Sequence, residues 1–420
     1  MKILILSYAC EPGAGSEYGV GWNVPFTLAW KYPEHEVYVA TRSRCRKKIE
    51  DRLQTLGLRN LHFVFYDIPQ CLYYKNEMKS RWGEQYNYIL WQFFARKDVK
   101  KIVEQYQIDI VHHLTFNQYR TPSPGFYLHV PFVFGPVGGA ETINPAFDRD
   151  LSAHTRKKEK IRRKGYDLRL FKSWIRKEKN QKVILFSTKE NHKRLSPYCR
   201  DCGTEVYPAI GFSPSDFPSS EGLEEAQSHK TFEMIYAGKA LDWKGLKIFL
   251  DAVSGAFLPV GINDFSIKLV GIRYEEEQEK IKQWVAQAGV ENNVELIPFV
   301  ERAQLLDLLS GASLSVYPAF RDSGSMSVLE ASALGCPTIC FDAGGQDAFP
   351  DEVLIKIPVS ESYEANLHEF SQRLLWAYNH PEKLKEIGKN AKAYVYTHLT
   401  WEKKVEHFME IYQRILENHI

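Results

Sequence analysis

Asp322 and Glu330 are two acids with seven residues between them. They follow a short apolar run, Leu314–Tyr317, and flank the small polar residues Ser323, Gly324, Ser325, Met326 and Ser327. Ionised carboxylates accept paired hydrogen bonds, which suits the vicinal hydroxyls of a ribose or a hexose. A helix beginning near Ser325 presents unpaired amides with partial positive charge, and these suit a phosphate. A second apolar run, Phe232–Tyr236, leads to Gly238, Lys239 and Lys244. Two lysines at a strand end can flank a diphosphate and neutralise charge on a departing nucleoside diphosphate. The bland alternatives are a solvated Asp, a helix N-terminal Glu and two solvated surface lysines.

Three further loops have residue types that bear on chemistry. Glu11–Trp22 is glycine-rich and follows the first apolar run, so Gly15 and Ser16 can approach a phosphate closely. The dinucleotide pattern Gly-x-Gly-x-x-Gly fails there, because Tyr18 stands at its third glycine. His112 and His113 end another apolar run and precede Thr115 and Asn117. Each histidine could touch a substrate or be a buried structural residue. The third loop, Gly135–Glu141, contains Gly138, Gly139 and Glu141. Asp148-Arg149-Asp150 has the form of a metal-binding Asp-x-Asp but follows no strand, so it reads as surface loop, and no metal site is expected. The lone Cys199-x-x-Cys202 lacks the further ligands that zinc requires and reads as incidental thiols.

The elements that must position these loops alternate. Apolar runs at Ile3–Ser7, Glu36–Ala40, Leu61–Tyr66, Ile108–His112, Phe132–Gly135 and Val183–Ser187 are separated mostly by helical patterns. A second series follows at Phe232–Gly238, Phe265–Val270, Val294–Ile297, Leu314–Tyr317 and Thr338–Phe341. Two such series predict two Rossmann-like α/β domains with parallel sheets. The expected division is 1–210, 211–395 and a terminal helix, 396–420, that returns to the first domain. The join lies near Pro208–Lys230, where prolines, serines and the acids Glu221, Glu224 and Glu225 interrupt the pattern.

Of the 420 residues, 44% are apolar and 25% charged, with 54 basic and 52 acidic side chains. This composition excludes a disordered chain and a disulfide scaffold. The small net charge of +2 argues against a uniformly basic nucleic-acid binder. One segment departs from the average: Arg156–Lys179 interleaves basic residues with Tyr166, Leu170, Phe171 and Trp174. It fits an anionic membrane surface or a solvated helical face. Only four apolar residues follow Met1-Lys2, and no stretch approaches the ~18 of a membrane span. A cytoplasmic protein is expected, peripheral at the inner face of a membrane.

The segment Leu314–Pro337 resembles the Glu-x7-Glu signature of retaining glycosyltransferases of family 4, which have the GT-B fold. Its second half, Glu330 to Gly335-Cys336-Pro337, is close to the family pattern. Asp322 stands where the family has Glu, and Ser323-Gly324-Ser325 alters its turn. Gly238-Lys239 and Lys244-Gly245 are similar to the family's Gly-Arg and Lys-Gly, and Phe341–Asp347 carries a similar Gly-Gly pair. The resemblance implies two domains facing a central cleft, with a nucleotide-diphosphate sugar as donor and no cofactor. It implies that Glu330 holds the ribose, Asp322 the donor sugar, and Lys239 and Lys244 the diphosphate. Gly15 and Ser16 would lie at the donor diphosphate. His112, three residues after Asp109, would contact the sugar or acceptor, with His113, Asn117, Gly138, Gly139 and Glu141 on the acceptor side. The implied reaction moves a hexose to a saccharide or lipid-linked acceptor during cell-surface polysaccharide synthesis. A sugar-nucleotide epimerase and a non-catalytic scaffold are the rival readings.

Overall fold

The computed structural model describes residues 1–75, 81–217 and 231–417. The Glu221, Glu224 and Glu225 cluster, and the join from position 218 to 230, lie outside the described residues. The chain divides into two compact units, Met1–Ala140 with Gly165–Gly211 and Trp401–Ile420, and Glu141–Lys164 with Phe212–Thr400.

The first unit is built on β1 (Lys2–Leu6), β2 (Glu36–Thr41), β3 (Leu61–Phe65), β4 (Ile110–His113), β5 (Phe132–Val137), β6 (Lys182–Phe186) and β7 (Gly203–Val206). Their order is β3-β2-β1-β4-β5-β6-β7, parallel throughout. Central strands such as β4 to β6 are buried from end to end, as a sheet covered by helices on both faces requires. The helix Trp401–Leu416 starts directly after Thr400. It lays Trp401, Val405, Phe408, Met409, Tyr412 and Ile415 into the core of this first unit.

The second unit contains β8 (Phe232–Ala237), β9 (Phe265–Val270), β10 (Val294–Ile297), β11 (Leu314–Tyr317), β12 (Thr338–Phe341) and β13 (Ile355–Ile357). Their order is β10-β9-β8-β11-β12-β13, again parallel. In both sheets the order reverses beside the first strand, between β1 and β4 and between β8 and β11. Open α/β sheets bind ligands at such points, beyond the carboxyl ends of the strands.

The division differs from the sequence expectation at 396–400, which belong to the second unit, and more strongly at Glu141–Lys164. The sequence pattern groups Glu141–Lys164 with residues 1–210, yet the segment packs within the second unit. Ile143, Phe147 and Leu151 are buried in that unit's core, and the Phe147 ring stacks on Phe320 at 4.0 Å. Burial of three such side chains contributes roughly 1.5–3 kcal/mol each, so packing outweighs sequence proximity. Among the described residues no helix is long and apolar enough to cross a membrane.

Candidate functional site

Of the residues singled out in the second unit, Lys244 and Asp322 meet at its switch point. β8 ends at Ala237, and the chain turns through Gly238 and Lys239 into the turn Asp242–Lys244. Gly245 follows at φ +68, where an added Cβ would lie 2.0 Å from the Pro318 carbonyl. Only glycine therefore allows this turn to approach the loop after β11. Phe320 N–H donates to the Trp243 carbonyl at 2.9 Å and joins the two loops.

Between them lies a polar cluster. The Lys244 ammonium pairs with the Asp322 carboxylate and donates to the Tyr317 hydroxyl at 2.9 Å. The Tyr317 hydroxyl in turn donates to Asp322. Burial pushes the Asp322 carboxyl up, but the Lys244 charge and the hydrogen bonds from Lys244, Tyr317 and Gly324 outweigh it and hold the group below the usual range. Asp322 is thus an anion whose Oδ2 is held by Lys244 and Tyr317, while Oδ1 accepts from the Gly324 amide at 3.4 Å. Lys239 is exposed, and its ammonium has no carboxylate partner among the described residues.

The acid loop is fixed from several sides. Gly345 N–H donates to the Asp322 carbonyl at 2.6 Å, and a Cβ at Gly344 would strike that backbone. Ser325 is buried in the left-handed region at φ 40, where its hydroxyl donates to Gln346 Oε1 at 2.9 Å. A non-glycine residue there costs on the order of 1–3 kcal/mol and persists only where its surroundings enforce it. Ser325 precedes the helix Met326–Leu334, whose start has no side-chain cap. Ser327 Oγ donates to the Ala237 carbonyl at 3.1 Å and brings that start against the end of β8. One turn on, Glu330 accepts from Arg302 Nε at 3.0 Å. Burial pushes the Glu330 carboxyl up despite this partner.

In the first unit Gly15 and Ser16 are exposed at the start of the helix Ser16–Lys31. An added Cβ at Gly15 would meet nothing within 4 Å, so the loop has room for a ligand. Thr115 Oγ1 accepts from Ala9 N–H at 3.2 Å, and Glu17 accepts from Phe116 N–H at 3.1 Å. The loops after β1 and β4 therefore lie together at that sheet's switch point. Asn117 donates to the Leu114 carbonyl at 2.7 Å, while its buried Oδ1 lacks a partner among the described residues. The Asn117 carbonyl accepts from Gly138 N–H at 2.9 Å, and Arg120 holds the Gly139 carbonyl at 3.1 Å.

Two expectations are corrected here. His112 is wholly buried, with Nδ1 2.6 Å from the Tyr412 hydroxyl and Nε2 2.9 Å from the Gly135 carbonyl. His113 is equally buried, with Nε2 2.9 Å from the Thr115 carbonyl and its ring against Phe134. Burial pushes them down to about 4 and about 3, so both are neutral core residues; both nitrogens of His112 are engaged within the core, while His113 Nδ1 is buried without a partner among the described residues. Glu141, expected beside the acceptor, instead accepts from the Ser323 hydroxyl at 2.6 Å in the second unit. Asp148 and Asp150 are engaged by Arg163 and by the Tyr363 hydroxyl respectively. Tyr317 and Arg302, which hold the two site acids, were not anticipated. The first reads as a strand-end core aromatic, and the second stands 28 positions from its partner.

Two parallel α/β sheets of this order define the GT-B architecture. Residues 223–394 match the family described as glycosyl transferases group 1, and the site acids and lysines lie within that matched stretch. Over 164 residues the chain is 26% identical to the D-rhamnosyltransferase WbpZ of Pseudomonas aeruginosa, which covers 38% of this chain and 39% of that protein. Over 134 residues it is 25% identical to the D-inositol 3-phosphate glycosyltransferase of Paenarthrobacter aurescens, covering 32% and 33%. The matched stretch thus spans about two fifths or less of these relatives. Among solved structures, sucrose-phosphate synthase from Thermosynechococcus elongatus superposes with a TM-score of 0.65 at 14% identity over 99% of each chain. HepE of Anabaena in complex with UDP-glucose superposes at 0.57 with 16% identity over 100% of this chain and 99% of that one. At these identities the likeness shows the fold.

Proposed function

We propose that this protein is a retaining glycosyltransferase that moves a hexose from a nucleotide-diphosphate sugar to a hydroxyl of a saccharide or lipid-linked saccharide, in cell-surface polysaccharide synthesis. The observation that carries the reading is the Lys244–Asp322–Tyr317 cluster at the switch point of the second sheet, inside the group 1 domain. Relatives named for sugar transfer and a GT-B neighbour with bound UDP-glucose support it.

On donor binding, the diphosphate takes the Lys244 ammonium and sugar hydroxyls take the Asp322 oxygens, so the two partners separate onto one ligand. Glu330 holds the ribose, and Lys239 and the Ser323–Ser327 amides complete the diphosphate site. The bond from C1 to the phosphate oxygen breaks as the acceptor oxygen bonds to C1 on the same face. The acceptor proton passes to the departing phosphate oxygen, so no carboxylate acts as nucleophile. Lys239 and Lys244 neutralise the charge that develops on the diphosphate. Asn117, with its unfilled Oδ1, and Gly138-Gly139 serve the acceptor.

A thermal-shift screen against UDP-, GDP- and ADP-sugars tests the reading, followed by determination of the product's anomeric configuration. An inverted product overturns retention. Isomerised donor in the absence of acceptor replaces the reading with an epimerase, and absence of nucleotide-sugar binding replaces it with a scaffold. The segment 156–179 is assigned to an anionic membrane surface, favoured by Ile161, Tyr166 and Leu170, which are 58%, 71% and 49% exposed among basic residues.

A further inference from the structure

The helix Ala153–Lys164 buries a single side chain, and it is an acid, Glu159. An amphipathic helix ordinarily buries apolar residues, so this face is specified by charge. Glu159 Oε2 accepts from Ile143 N–H at 3.2 Å, and Oε1 pairs with Arg162 at 3.3 Å and with Arg321. Arg321 is the residue before Asp322, and its guanidinium lies 5.4 Å from the Trp243 ring, beside Lys244. Three more bonds run from the same segment to the same two loops. Glu141 accepts from Ser323 at 2.6 Å, and Asp242 accepts from Ser152 N–H and Thr155 Oγ1, both at 3.0 Å. Those bonds outweigh burial and hold the Asp242 carboxyl below its usual range.

We infer that Glu141–Lys164 is a strap that sets the spacing of the lysine turn and the acid loop, with Glu141, Thr155 and Glu159 as positioning residues for Lys244 and Asp322. The inference rests on the donor-site reading given above. The start of the strap grips the acid loop at Ser323 and Glu159 grips it again at Arg321, while Ser152 and Thr155 between them grip the turn that carries Lys244. The Lys244–Asp322 pair lies between these grips. A misplacement of either loop by an ångström is costly for a reaction that depends on aligned charges.

The test uses the full chain with Thr155→Val, Thr155→Ser, Glu141→Ala and Glu159→Gln. Amide exchange of 239–245 and 321–325 is followed in the ligand-free protein. Exchange is expected to rise about tenfold in Thr155→Val and Glu141→Ala and to return toward wild type in Thr155→Ser, which keeps the hydroxyl. Transfer from the active donor is expected to fall about tenfold in the first two, mainly in kcat, and to recover in Thr155→Ser. If Glu159→Gln does not fold, the other variants still decide the matter. Unchanged exchange in both loops overturns the strap, whatever the ligand results. Failure of wild type to bind UDP, GDP or ADP in calorimetry overturns the donor-site reading on which the inference rests, even if the loops loosen as expected.

Discussion

Replacing Lys244 by methionine keeps the aliphatic stem and removes the charge. The lysine and aspartate side chains are 17% and 29% exposed, so the pair is only partly screened. Loss of one preorganised donor to a developing anion costs about 10²–10³ in rate, roughly 2.7–4 kcal/mol. Transfer by Lys244→Met should fall by that factor. Asp322 would keep Tyr317 and the Gly324 amide as partners. Leaving its charge short of one partner should lower stability by about 1–3 kcal/mol at neutral pH. The sign with pH follows from the depressed carboxyl. Its contribution is present above the unfolded value near ~3.9 and is lost as pH falls through the folded value, so the stability gap should close below about pH 4. Urea denaturation at several pH values and steady-state transfer measure the two effects. A folded variant that transfers within about threefold of wild type would refute the assignment of Lys244 to the diphosphate.

Glu330→Ala should weaken binding of a nucleoside diphosphate by about tenfold or more in calorimetry, the cost of at least one charge-assisted bond; unchanged affinity would remove Glu330 from the ribose site. His112, held low at about 4, contributes stability above its unfolded value near 6.5 that is lost as pH falls toward 4, on the order of 3 kcal/mol. His112→Gln should reduce the slope of that part of the urea-stability profile, His113 still contributing its share, and a profile of unchanged slope would contradict the buried neutral imidazole. Anionic vesicles should co-sediment the protein more than neutral ones, and Ile161→Glu with Leu170→Glu should abolish the difference; equal pelleting in both would remove the membrane assignment.

The strands of both sheets stand out in the sequence where a buried strand is a continuous apolar run, as in β1 and β6. β7 and β13 do not. Gly203–Val206 is a half-exposed edge strand containing a glutamate, and Ile355–Ile357 is only three residues long. The Asp322–Glu330 spacing and the two lysines stand out in the sequence because each belongs to a short local pattern that follows a strand, β11 for the acids and β8 for the lysines. His112 misled because a histidine ending a strand looks the same whether it meets a substrate or a phenol 300 positions away. Glu159 and Arg321, separated by 162 positions, leave no local trace of their pairing. Tertiary contacts of that range are set by packing, which periodicity does not encode.

The chain passes from one unit to the other at residues 140–141, 164–165, 211–212 and 400–401. A chimera made by one cut in the segment between the units would take everything before the cut from one parent and the rest from another. Here a single cut would graft an acid loop onto a foreign clamp, because Glu141 and Glu159 would come from the other parent. A hybrid that also carries over 141–164 would inherit the loop and its clamp from one ancestor, and so keep the carboxylate and the ammonium at their native separation.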